Sequence, residues 1–173
     1  SYNVRLLDLY HWNTDKESRK KMLDFFRLKN AGILCLQEFY TGNTRKAIDN
    51  IQAIKEACGY RYVAECNMHV SRRGKWGSVI FSHYPIVYHE NTPIDVQGSN
   101  LLQQVDIALQ HDTFTVYNVH LKSKRFNRNE AALVSKKEWP SCDDSTLEQS
   151  KSIFSKLQDN SVNRGLEAEL IAN

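Results

Sequence analysis

No stretch of this chain approaches the run of about 20 apolar residues that a membrane-crossing helix needs. None of the cysteines, Cys35, Cys58, Cys66 and Cys142, stands in a C-x-x-C pair, which argues against a structural zinc site. Spacing alone leaves a disulfide, and with it the redox compartment, open. No basic segment leads into an apolar one at the N-terminus, so no signal peptide is visible. That leaves the localisation undetermined, because residue 1 already falls inside what reads as a strand. Internal repeats, low-complexity tracts and interdomain linkers are missing too. So is a strong charge excess: the net charge is +3 and the pI about 8.6, short of what a dedicated nucleic-acid binder carries.

What is present suits one globular domain. The chain has 173 residues, 41% hydrophobic and 25% charged, enough for a core. Its basic clusters, Arg19-Lys20-Lys21, Arg72-Arg73-Gly74-Lys75 and Lys122 through Arg128, read first as solvated faces.

Periodicity and turn signals outline the elements. Residues 1–9 read as a strand end entering a loop. Thr14-Asp15-Lys16-Glu17 matches a capping box, and the helix after it turns Met22, Leu23, Phe25 and Phe26 inward, with Gly32 placed to end it. Residues 33–38 are a nearly continuous apolar run, as in a strand covered on both faces; Cys35 within it reads as a small core hydrophobe. A second helix begins near Asn43 or Thr44, carries Ala47, Ile48, Ile51, Ile54 and Cys58 on one stripe, and stops at Gly59. Strands are expected at 60–66, 76–82 and 86–90, with a polar, basic loop at 67–75. Residues 101–109 and 113–121 form an antiparallel hairpin about Gln110-His111-Asp112. A long loop at 123–145 and helices at 145–159 and 162–172 complete the pattern, the first with Leu147, Ile153, Phe154 and Leu157 inward. Early and late helices around a β-rich middle favour a layered α+β domain with a mixed, mainly antiparallel sheet.

Polar residues at strand exits mark the candidate site. Alternation puts Leu34, Leu36 and Glu38 on one face, so Glu38 is a carboxylate at the rim of a sheet. Magnesium binds through one or two carboxylates and keeps several waters, so such a position suits it. Phe114, Val116, Asn118 and His120 share another face, apolar first and polar last. An imidazole there can hold a phosphate oxygen or protonate a leaving group. Asn3, at the end of the first strand, can ligate a metal weakly or hold a carboxylate ligand in place.

Four segments in order, Ser1-Tyr2-Asn3-Val4-Arg5, Ile33 through Glu38, Trp76 through Ile86 and Tyr117 through Ser123, resemble the endonuclease/exonuclease/phosphatase superfamily. They match its opening strand with an Asn, its "Q-E" strand, its "S-x-Y-P-I" segment and its "Y-N-x-H-L-x-S" strand. The resemblance implies a four-layer αββα sandwich and a magnesium-dependent hydrolase of phosphate esters, with manganese as the alternative metal. Carried over residue by residue, Glu38 binds the metal and Asn3 supports it. His120 contacts the scissile phosphate, and Asn118 is a phosphate-site residue that fixes its surroundings. Nucleic acid and phospholipid headgroup are not distinguished as substrates.

The family's later motifs, "G-D-F-N" and "S-D-H", do not occur in this sequence. Residues 1–173 therefore read as a single but incomplete domain, lacking the start of its first strand and its C-terminal third. The parent protein is expected to be the enzyme, and this piece to be inactive for want of the Asp that activates water. The alternative is a non-catalytic module holding phosphate-rich ligands with basic loops 72–75 and 122–128. A plain structural domain is a third reading. Oligomeric state is not legible.

Overall fold

The chain begins on a short strand, β1 (Tyr2–Asn3), which pairs in parallel with β2 (Ile33–Gly42). The structure, a computed structural model, describes residues 1–11, 14–42, 48–94, 100–121, 130, 134–135 and 144–172. It divides into two compact units, Ser1–His120 and Leu121–Asn173.

In the first unit, β3 (Tyr62–Val70) and β4 (Gly74–Ser82) join β1 and β2 in one sheet ordered β1-β2-β4-β3. A second sheet is antiparallel, ordered β5-β6-β7, from β5 (Ile86–Pro93), β6 (Leu101–Leu109) and β7 (Asp112–Val119). Helices α1 (Ser18–Lys29) and α2 (Asn50–Cys58) cover one face of the first sheet. There Phe26 and Ile54 meet Leu34, Leu36, Phe39, Tyr60, Val79 and Phe81 in an apolar core. The other face packs Ala64 and Ile80 against Val105 and Ile107 of the second sheet. The fold is α+β with mixed, mainly antiparallel sheets, and this unit supplies the α, β and β layers of the expected sandwich.

Several local expectations shift. Helix α1 ends at Asn30, whose φ of 44° and N–H bond to Phe26 O make the left-handed cap, two residues before Gly32. Its N-terminus has no capping box; Asp15 Oδ1 instead accepts the Glu17 N–H at 2.9 Å. Helix α2 starts at Asn50, because the Asp49 side chain accepts the Gln52 N–H at 3.0 Å. Residues 43–47, its expected first turn, lie outside the described residues. Gly59 closes it with φ 75°, as expected. The expected loop at 67–75 is mostly strand, with a tight turn at Ser71–Arg73 in which Ser71 N–H donates to Gly74 O at 2.9 Å. The hairpin of β6 and β7 forms as read, turning at Gln110 and His111.

Strand β2 does not end at Glu38. Leu36 pairs with Val79 and Phe39 with Gly77, so Gln37 and Glu38 together face Ser78. This bulge resets the alternation: Phe39, rather than Glu38, joins Leu34 and Leu36 in the helix-side core. The ladder then continues to Gly42 opposite Gly74. Gly74 is required there, since a Cβ would meet the Tyr40 ring and lie 2.5 Å from Thr41 O.

In the second unit, residues 145–159 and 162–172, expected as two helices, run as a single one, α3 (Asp144–Ala172). No proline interrupts residues 159–163, and Asn160 and Ser161 satisfy their side chains on Lys156 O and Leu157 O at 2.7 Å each without breaking the helix. Ile153 is buried as expected, whereas Leu147 and Phe154 are exposed. The covered side is partly ionic instead: buried Glu130 accepts from Ser152 Oγ at 2.8 Å and pairs with Lys156 Nζ at 2.7 Å. Most of the expected loop at 123–145, with the Lys122–Arg128 cluster and Cys142, lies outside the described residues. Cys35, Cys58 and Cys66 are free thiols.

Candidate functional site

Asn3 is held by the turn that leaves β1. Arg5, Leu6, Leu7 and Asp8 all have positive φ, between 43° and 58°, a left-handed turn that costs non-glycine residues roughly 1–2 kcal/mol apiece. Burial of Val4 and Leu7 holds the turn down, and the Val4 N–H donates to Gln37 O at 3.0 Å. The Arg5 N–H then donates to Asn3 Oδ1 at 3.1 Å, which turns the amide nitrogen toward Glu38. Asn3 Nδ2 donates to Glu38 Oε1 at 3.0 Å.

Glu38 owes its aim to the bulge. Its φ is 49°, and its side chain stays 35% exposed, so its carboxylate keeps a path to water while its neighbours are covered. His120, one residue past β7, brings Nε2 to 3.5 Å from the same Oε1. That is close approach rather than a good hydrogen bond, and it becomes an ion pair when the imidazole is protonated. Asn3, Glu38 and His120, far apart in sequence, thus converge on one carboxylate oxygen.

Asn118 is placed differently. It is only 2% exposed, and its side chain is engaged between the sheets. Its Oδ1 accepts from Gln37 Nε2 at 2.6 Å; its Nδ2 donates to Leu36 O at 3.3 Å and to Gln103 Oε1 at 3.2 Å. Leu36 begins the bulge, so Asn118 ties β7 to the backbone that turns Glu38 outward. Gln37 also donates to Ser1 Oγ at 2.8 Å, and Gln103 to Ala64 O at 2.9 Å.

Gln37 and Gln103 carried no assignment from the sequence. Gln37 stood inside the Ile33–Glu38 segment; Gln103 had one available signal, a polar residue on the inward face shared with Val105 and Ile107.

Oxygen donors are what a hard cation takes, and this group offers the Glu38 carboxylate, while the Asn3 amide oxygen is turned to the Arg5 N–H. Among the described residues no cluster of three His, Cys, Asp or Glu could enclose a metal. The donor set therefore fits a largely hydrated magnesium or manganese ion held through Glu38, and does not fit an all-protein cage. A cleft of about 550 Å³ opens beside β1, lined by Asn3, Arg5, Asp8, Asp15, Ser18 and Lys21 among others. It shares Asn3 with the site, but neither Glu38 nor His120 lines it. Ser18 Oγ donates to Asp8 Oδ2 across its floor, and Lys21 pairs with Asp15 at 2.5 Å.

Burial pushes the Cys66 thiol up to about 11 and the Tyr60 phenol up to about 12. Arg72 and Arg73 are exposed at the β3–β4 turn, as expected of a solvated basic cluster. Tyr10 is exposed, while Trp12 lies outside the described residues.

No protein-family model matches the sequence, and no curated protein matches it. Solved structures do. An endonuclease/exonuclease/phosphatase family protein from Leptotrichia buccalis C-1013-b aligns with TM-score 0.53 and 13% identity over 70% of this chain and 52% of its own. Sphingomyelinase C from Streptomyces griseocarneus aligns with TM-score 0.51 and 17% identity, over 72% of this chain and 48% of its own. An endonuclease/exonuclease/phosphatase from Beutenbergia cavernae DSM 12333 gives TM-score 0.51 and 14% identity over 69% and 36%. The chain thus spans about half the length, or less, of the structures it matches. At these identities the likeness is one of fold.

Proposed function

We propose, from the endonuclease/exonuclease/phosphatase fold that this chain has, that it carries part of the site of a metal-dependent phosphoesterase. The observation that carries the reading is the convergence of Asn3 Nδ2 at 3.0 Å and His120 Nε2 at 3.5 Å on Glu38 Oε1. A carboxylate with an amide and an imidazole beside it binds a hydrated cation and a phosphate oxygen in adjacent positions.

Glu38 would hold magnesium, or manganese, and Asn3 would support it by fixing the orientation of the carboxylate. When bound, the metal supplies Lewis-acid stabilisation of charge on a phosphoryl oxygen. His120 would donate to a phosphate oxygen from Nε2, the atom 3.5 Å from Glu38 Oε1. Asn118 serves the phosphate site from behind: it is buried, and acts by holding the strand that delivers His120. The substrate is a phosphate ester, nucleic acid or phospholipid headgroup.

The sequence contains neither "G-D-F-N" nor "S-D-H", so we infer that the 173-residue chain binds the cation but does not turn over. Titration with Mn²⁺ and hydrolysis of bis(p-nitrophenyl) phosphate in Mg²⁺ test both statements. Saturable Mn²⁺ binding lost in Glu38→Ala is expected, with no hydrolysis. Robust Mg²⁺-dependent hydrolysis that Glu38→Ala abolishes would overturn the inactivity; Mn²⁺ binding indifferent to Glu38→Ala would overturn the site. The exposed Arg72 and Arg73 support the second reading, a phosphate-binding module. It predicts salt-sensitive polyanion binding that ignores both Mg²⁺ and Glu38→Ala.

A further inference from the structure

The polar chain between the sheets has a direction, and the direction is set far from the candidate site. Ala64 O can only accept a hydrogen bond, so Gln103 must turn Nε2 toward it, at 2.9 Å. Gln103 Oε1 is thereby left facing Asn118, and only the Asn118 nitrogen can satisfy it, at 3.2 Å. Leu36 O demands the same nitrogen at 3.3 Å. The Asn118 oxygen is consequently turned to Gln37, whose Nε2 meets it at 2.6 Å. Two backbone carbonyls, one on β3 and one at the bulge of β2, thus dictate which way three side-chain amides point.

We propose that Gln103 is a positioning residue for the site, one that sets the geometry of Glu38 and His120 without touching either. The proposal rests on the phosphoesterase reading of those two residues. Gln103 is 0% exposed and sits opposite Asn118 in the β6–β7 ladder. Asn118 stands two residues before His120, and Gln37 stands directly before Glu38 within the bulge. Buried amides in an apolar layer cost free energy unless every group is paired, and among the described residues no buried side-chain N or O atom lacks a partner. A closed polar chain in a low-dielectric layer has one low-energy arrangement, whereas Val105 and Ile107 beside it could repack. Fixing the register of β7 against the bulge of β2 is what such a chain does that a leucine at position 103 would not do.

The test compares the wild-type chain, Gln103→Leu and Val105→Ala. Val105 is on the same strand, faces the same layer and is equally buried, but makes no polar bond in the chain of amides. Two readouts are taken at a temperature where all three are folded: exchange of the Gln37 and Asn118 side-chain amide protons by NMR, and affinity for Mn²⁺ by EPR titration. Gln103→Leu is expected to expose those amides to exchange and to weaken Mn²⁺ binding by about tenfold, the size of effect seen when supporting partners of a metal ligand are removed. Val105→Ala should lower stability while leaving both readouts within about twofold of wild type, well short of that supporting-partner effect. Equal changes in Mn²⁺ affinity for the two variants, or none for Gln103→Leu, would overturn the positioning role. Wild-type chain that does not bind Mn²⁺ would instead overturn the phosphoesterase reading on which it rests. Where Gln103→Leu fails to fold, Gln103→Met takes its place, since a flexible apolar side chain fills the same space with less strain.

Discussion

The first sheet is packed on both faces, and the two faces are made of different material. Toward the helices, Phe26, Leu34, Leu36, Phe39, Ile54, Tyr60 and Phe81 form an almost wholly apolar layer rich in rings, with Phe81 6.1 Å from Phe39 and 5.7 Å from Tyr60. Toward the second sheet, the apolar set is small, Ala64, Ile80, Val105 and Ile107, and lies beside the Gln37, Asn118 and Gln103 amides. The helix-side layer supplies area removed from water, which is non-directional. The inter-sheet layer supplies directional bonds, and its polar end adjoins Glu38 and His120. Stability and geometry are therefore separable here: one layer holds the sheet together, the other decides where two side chains at its edge point.

That division can be broken most sharply at Phe81. Phe81→Ala should cost about 3–5 kcal/mol in a urea titration, the usual range for a fully buried ring, while leaving Mn²⁺ affinity unchanged wherever the protein is still folded. A loss of metal affinity there would show that the two layers are not separable. Asn118→Ala should cost less, about 1–3 kcal/mol, because it leaves buried partners unpaired, yet should weaken Mn²⁺ binding by about tenfold. Unchanged affinity in Asn118→Ala would remove the inter-sheet layer from the site altogether.

The smallest effect sharpens the helix-side layer. Burial raises the Tyr60 phenol from 10.0 to about 12, and its hydroxyl donates to Ala31 O at 2.8 Å. The folded chain therefore keeps this proton at pH values where the unfolded chain has released it. Its contribution to stability is whole below about pH 10 and is lost as pH rises from there toward 12. Tyr60→Phe should cost about 1 kcal/mol at neutral pH and flatten that alkaline decline. Urea midpoints measured between pH 8 and about 11.5 check it, and an alkaline slope unchanged in Tyr60→Phe would assign the decline to other groups.

Much of the fold was legible before the structure. The hairpin of β6 and β7, the Gly59 stop and the inward Ile54 follow from alternation, helical spacing and turn chemistry. Glu38, His120 and Asn3 were legible as polar residues at strand exits. Other features were hidden for specific reasons. Strict alternation cannot see a bulge, so Glu38 read as a strand end on the face of Leu34 and Leu36, a place that Phe39 takes instead. Helix stop signals are only statistical, so the polar pair Asn160-Ser161 read as a break where α3 runs through. A buried glutamine looks like any surface glutamine until its partners are known, and Gln103 finds its own on β3 and β7.

Local pattern was enough to define most of the elements, because hydrophobic period and turn residues act over a few positions. It was also enough to nominate the side chains able to do chemistry, because a carboxylate, an imidazole and an amide have their donors and acceptors wherever they sit. Three-dimensional packing had to add that Asn3, Glu38 and His120 meet at one oxygen, that Asn118 works from inside rather than at the surface, and that Gln103 belongs with them. Those outcomes depend on the register between strands distant in sequence, and a one-residue bulge is enough to change them.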